Sequence, residues 1–181
     1  MKVAHAETLI VDKAEHFQKM TLRNRYHISG ANKPILLSVP LTQGRNQHTP
    51  MAEVQIYNKE RWQVQHWRTL VSVYNRSPFF EHYELALRPL FETEFTSLLA
   101  FNTAAMQWAK RQLRLKFEEK ETSEFIRQYP DGITDIRFEA GQANTPHYYQ
   151  VFEDRIGFQP DLSILDLLFS EGPRAIDLLR G

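Results

Sequence analysis

The apolar pattern of the chain changes period near Asn58, and that change limits the folds open to it. Upstream, residues 8–11, 25–29, 35–39 and 53–57 form short β-rich or alternating runs, the spacing of half-buried strands. Gly30-Ala31-Asn32-Lys33 separates the second run from the third. Glycine and asparagine tolerate the positive φ of a tight reversal, so the pair predicts a β-hairpin that Pro40 stops. Downstream, Trp62, His66, Leu70 and Val73 recur at helical spacing, with Trp67, Val71 and Tyr74 flanking the same side and Asn58 as the expected N-cap. Further helices are expected from Ser77-Pro78 to Pro89, over 97–113, and as short pieces over 148–154, 162–170 and 174–179. Residues 117–121 and the Ile136/Phe138 pair suit short strands, Tyr129-Pro130-Asp131-Gly132 a turn, and polar residues 42–49 a mobile surface loop. Strands first and helices later predict an α+β fold. The expected form is a small mixed or antiparallel sheet with an N-terminal β-hairpin, packed against a helical bundle of the middle and C-terminal segments.

At 181 residues the chain suffices for one core, so a single domain over 1–181 is expected. Lys+Arg and Asp+Glu are equal at 22 each, so no whole-chain field draws in nucleic acid or acidic membranes. Anion binding, if it occurs, is local. The absence of cysteine removes disulfides and thiolate chemistry. No apolar leader and no run approaching the ~20 residues of a membrane span occur, and a soluble, cytoplasmic protein is expected. Phosphate-loop, dinucleotide-turn, nucleophile-elbow and zinc-protease motifs are missing, and the seven histidines lack metal-ligand spacing. No metal site is expected, the cofactor is unknown, and a homo-oligomer is left open.

Five constellations carry possible chemistry. His16-Phe17-Gln18-Lys19 leads into Arg23-Asn24-Arg25, which gathers guanidinium, ammonium and amide donors just before a strand. Such groups bind phosphate or carboxylate; the alternative is surface charge paired with acids such as Glu15. His66 lies one helical turn from Trp62 on an apolar face, either as a general base or as a core histidine packed on a ring. Asn102 and Asp166 interrupt apolar stripes and need buried partners. Asn102 suits tying a loop to the core, and Asp166 suits neutralising an arginine of the first cluster. Finally, His147-Tyr148-Tyr149-Gln150 offers ring faces and an amide, a platform for a sugar or base or simply an aromatic helix start.

Taken together these blocks resemble one family. His16 to Lys19, Arg23-Asn24-Arg25-Tyr26-His27-Ile28, Leu37-Ser38-Val39-Pro40, residues 62–66 and 74–80, Tyr148-Tyr149-Gln150-Val151-Phe152 and residues 162–173 look like the WbqC-like family of bacterial proteins. The resemblance implies a role in surface-polysaccharide (O-antigen or capsule) biosynthesis. Joined with the Lys19/Arg23/Arg25 cluster and the Tyr148-Tyr149-Gln150 platform, it leads to the expectation of a transferase using an activated sugar or acyl donor, with a small-molecule anion or sugar nucleotide as partner. His66 is then the base, and His16, Lys19, Arg23, Asn24, Arg25, Tyr74, Asn102, Tyr148, Tyr149, Gln150 and Asp166 are the ligand-binding set. A non-catalytic binding or scaffold protein of the same pathway is the alternative. Relatives begin with a further aromatic-proline segment missing here, which leaves an exposed sheet edge or an incomplete pocket as an expectation.

Overall fold

The computed structural model describes residues 2–42, 48–137 and 145–181. The expected hairpin forms: β2 (Arg25–Ile28) pairs antiparallel with β3 (Ile35–Ser38), matching Arg25 to Ser38 and Ile28 to Ile35. Gly30 is required at the reversal, because a Cβ there would run into the Lys33 carbonyl. The other ladder pairs β1 (Thr8–Asp12) with β4 (Glu118–Thr122), in parallel. The described strands therefore form two separate two-stranded ladders rather than one sheet. A strand over 53–57 does not form: Met51–Glu53 is a 3-10 turn, and Gln55 and Ile56 make only isolated bridges to Ser97 and Leu41. Ile136 is irregular, while Phe138 and most of the 42–49 loop lie outside the described residues.

Seven helices follow the chain order among the described residues: α1 (Trp62–Tyr74), α2 (Phe80–Leu87), α3 (Pro89–Glu92), α4 (Leu98–Gln112), α5 (Glu153–Ile156), α6 (Ile164–Glu171) and α7 (Ala175–Arg180). Asn58 does not cap α1. Arg61 holds the cap position without a side-chain bond, and Asn58 instead accepts from Trp62 Nε1 at 3.1 Å and donates to the Phe95 carbonyl at 2.8 Å. Pro89 opens α3 at a position where its missing N–H has no cost. Ser97 caps α4 by accepting from the Ala100 N–H. Helix α6 is buried nearly all round, from Leu165 through Phe169, and ends at Gly172, whose φ of 57° is the left-handed conformation glycine permits.

Two apolar clusters result. One joins Ile28, Leu70, Tyr74, Leu87, Leu168 and Phe169; the other joins Phe17, Val39, Ile56, Trp62, Leu98 and Phe101. Each fully buried large side chain contributes roughly 1.5–3 kcal/mol, so these clusters dominate the stability. Leu90 packs against both, and the seam between them runs beside the residues that open β2.

Candidate functional site

The segment entering β2 is pinned by backbone and amide bonds. Val39 N–H donates to the Asn24 carbonyl at 2.8 Å, and Asn24 Nδ2 donates back to the Val39 carbonyl at 2.9 Å. From α4, Asn102 Nδ2 donates to the Arg23 carbonyl at 2.9 Å, which ties this loop to the core. The two arginines have different fates. Arg23 is committed: Nε and Nη2 grip Glu15 at 3.0 and 2.6 Å, and Nη2 also reaches the Arg137 carbonyl at 3.1 Å. Arg25 has no carboxylate among the described residues. Its Nη1 meets only the Met20 sulfur at 3.3 Å, and its Nε is buried without an acceptor.

Arg25 lies on the wall of a cavity of about 200 Å³ at the seam of the two clusters. Leu87, Leu90, Phe91, Phe101, Ala105 and Leu165 give it an apolar lining, and Arg23, Asn24, Arg25, Tyr26, Asn102 and Ser163 are among its polar residues. Ser163 caps α6 by accepting from the Leu165 N–H, and its own N–H donates to the His27 carbonyl at 2.7 Å, so the first turn of α6 is fixed against β2. Trp108, also on the wall and 2 % exposed, keeps its indole N–H without an acceptor. A buried donor left unpaired costs about 1–3 kcal/mol, and two residues of this wall each carry one. Two other clefts are larger, about 580 and 410 Å³, but only Tyr149 of the expected set reaches the first and none the second.

His66 stands behind this wall. It is 4 % exposed, packs edge-on to Trp62 at 5.1 Å, and its Nδ1 lies 3.1 Å from the hydroxyl of Tyr26, a cavity residue. Burial pushes its pKa down to about 4, against a smaller upward pull from the Ser38 backbone, so the ring is neutral at pH 7. Burial also raises the Tyr26 phenol well above its ordinary value.

The remaining expected residues separate. Asp166 does not neutralise an arginine. It is fully buried and accepts from Tyr74 Oη at 2.6 Å and Tyr148 Oη at 2.8 Å, while Tyr74 Oη accepts from the Ser29 N–H at 2.9 Å. Desolvation raises the Asp166 pKa, and the two phenol bonds only partly oppose it. The Tyr148-Tyr149-Gln150 platform is split. Gln150 is fully buried and exchanges two bonds with the Gln159 backbone at 2.8 and 2.7 Å, Tyr148 is committed to Asp166, and only Tyr149 faces solvent. His16 is exposed and stacks on Phe125 at 6.2 Å, and the Lys19 side chain is not on the cavity wall. The structure thus brings Arg23, Asn24, Arg25 and Asn102 together and leaves His16, Lys19, Tyr74, Tyr148, Tyr149, Gln150 and Asp166 elsewhere. Sequence reasoning missed Tyr26 and Trp108. Tyr26 lies in the Arg23–Ile28 block that carries the family resemblance, while Trp108 had only its place in a helical run, which marks a ring as core and says nothing of a neighbouring cavity.

No group of three or more histidine, aspartate or glutamate side chains able to hold a metal ion occurs among the described residues. None of the described helices is long and apolar enough to cross a membrane. The sequence model of the WbqC-like protein family matches residues 1–137, most of the chain, and the chain belongs to that family. The match covers Arg23, Asn24, Arg25, His66 and Asn102 and stops before Tyr148 and α6. No curated protein and no solved structure matches the chain.

Proposed function

We propose that this chain, as a member of the WbqC-like protein family, binds a small anionic molecule with an apolar body in the Arg25 cavity and does so within bacterial surface-polysaccharide biosynthesis. One observation carries the binding reading: a guanidinium with no carboxylate partner among the described residues stands on the wall of an apolar cavity. A cationic group beside such a wall is poised for a carboxylate or phosphate, because the low dielectric strengthens the pair once both are desolvated. The pathway rests on the family resemblance alone. Size narrows the ligand: an apolar cavity near 150 Å³ holds benzene, so about 200 Å³ admits an acid or acyl group and only one end of a sugar nucleotide. Thermal melting with small carboxylates and phosphates tests the proposal. A saturable rise in melting temperature that Arg25→Gln abolishes supports it, and no rise with any anion defeats it.

Group transfer is the second reading, and the Tyr26–His66 contact favours it. A phenol on a wall residue lies 3.1 Å from a neutral imidazole, a contact through which a proton could pass. Among the described residues of the cavity wall the only ionisable side chains besides Tyr26 are Arg23 and Arg25, which suit binding an anion. Incubation with activated sugar or acyl donors separates the two. Turnover that His66→Gln removes while anion binding survives establishes transfer, and binding without turnover leaves a non-catalytic binding protein.

A further inference from the structure

We infer that the ligand of the Arg25 cavity is a monocarboxylate, held side-on across the guanidinium edge and carrying a compact apolar body of about six to eight non-hydrogen atoms. The inference rests on the anion-binding reading above and sharpens it to one chemical class.

Charge argues first. Of the two arginines on the wall, Arg23 is neutralised by Glu15 at 2.6 Å, with both side chains nearly buried at 11 % and 13 % exposure. That leaves one uncompensated positive charge, on Arg25. A carboxylate cancels it. A phosphate monoester carries about −1.5 to −2 at neutral pH, and its surplus charge would sit against Leu87, Phe91 and Leu165, since the other cation on the described wall, Arg23, is already paired with Glu15.

Geometry argues second. The Met20 sulfur engages Nη1 of Arg25, and the left-handed backbone of Met20, with φ at 62°, places it there. The edge formed by Nε and Nη2 makes no hydrogen bond to the described residues, and because its Nε is fully covered, a carboxylate reaches it only as the side chains over it move aside. The protein already shows what this edge accepts: Glu15 spans the same two atoms of Arg23 at 3.0 and 2.6 Å. Two parallel bonds to a planar carboxylate match a planar fork, whereas a tetrahedral phosphate gains more from several cations. Met20 is 79 % exposed and unbranched, so it yields to an arriving ligand with little cost in packing.

Size argues third. A benzene-sized body fills a cavity of about 150 Å³, so a ring or a short branched chain fits here beside Phe101 and Leu90, and a long acyl chain does not.

Matched ligands on the full-length chain test this by isothermal titration calorimetry: benzoate against phenyl phosphate and benzamide, and hexanoate against hexyl phosphate. The expected result is saturable binding of both carboxylates, at least tenfold tighter than the phosphate and amide counterparts. Arg25→Lys, which keeps the charge and loses the fork, should weaken benzoate at least tenfold. Ala105→Phe, which fills the cavity and leaves Arg25 untouched, should abolish binding in a protein that still melts cooperatively. If the phosphates bind as tightly as the carboxylates, the monocarboxylate assignment is overturned while the anion site stands. If no anion binds, both fall. Benzoate binding unchanged by Ala105→Phe also overturns the inference, because the apolar body then lies elsewhere.

Discussion

Replacing Asp166 by alanine tests the buried polar network that joins α1, α6 and the end of β2. In the native chain the carboxylate receives two phenol hydroxyls, Tyr74 at 2.6 Å and Tyr148 at 2.8 Å, all within a fully buried site. Alanine leaves both hydroxyls without an acceptor. At about 1–3 kcal/mol for each orphaned group, the expected loss is about 4 kcal/mol. Asparagine should cost at least about 1 kcal/mol less, because its amide oxygen accepts from Tyr74 while its Nδ2 donates to the Tyr148 oxygen. The loss also depends on pH. Burial raises the Asp166 pKa from its ordinary 3.8, so the native state holds this proton more tightly than the unfolded chain does. The native contribution is therefore full below 3.8 and declines as pH rises through the folded value. Urea denaturation at pH 4.5 and 7.5 should find the alanine penalty larger at the lower pH. An alanine variant within about 1 kcal/mol of the parent would refute the reasoning, since the phenols would then have other acceptors. Equal penalties for alanine and asparagine would refute it as well.

Three further outcomes follow from the same geometry. His66 has its pKa depressed from 6.5 to about 4, so stability present above 6.5 is lost as pH falls through the lower value, on the order of 3 kcal/mol. Acid unfolding of His66→Gln should lack this component, seen as a flatter urea-stability profile between pH 7 and 4. Arg23→Ala strands the Glu15 carboxylate in a nearly buried site and should cost about 3 kcal/mol by urea melts. Gly172→Ala meets both a φ of 57° and the Phe79 ring, which a Cβ would approach to 2.5 Å, and should lower stability by at least about 2 kcal/mol in thermal or urea unfolding.

The anion cluster shows how far a sequence reading reaches. Local chemistry found the right neighbourhood, since Arg23, Asn24 and Arg25 do reach one cavity. It could not say which arginine was free. That depended on Glu15, eight positions away from Arg23, and on a loop turn that places Arg137 beside the pair. Asp166 shows the same limit. Its position on an apolar stripe announced a need for partners, but two tyrosines rather than an arginine met that need.

The sequence by itself determined the features that depend on neighbours along the chain. These are the hairpin around Gly30, the amphipathic span of α1 and the extent of α4. Their physics is settled within a few residues, by allowed dihedrals and side-chain period. Only the tertiary structure decided the partner of β1, because the charged β4 segment Glu118–Thr122 carries no apolar alternation to set a register. It alone decided that Tyr148 and Gln150 turn inward and that Arg25 is left over after Arg23 is paired. Burial and charge pairing are properties of distant residues brought together, and no local period encodes which of two similar groups will find its partner first.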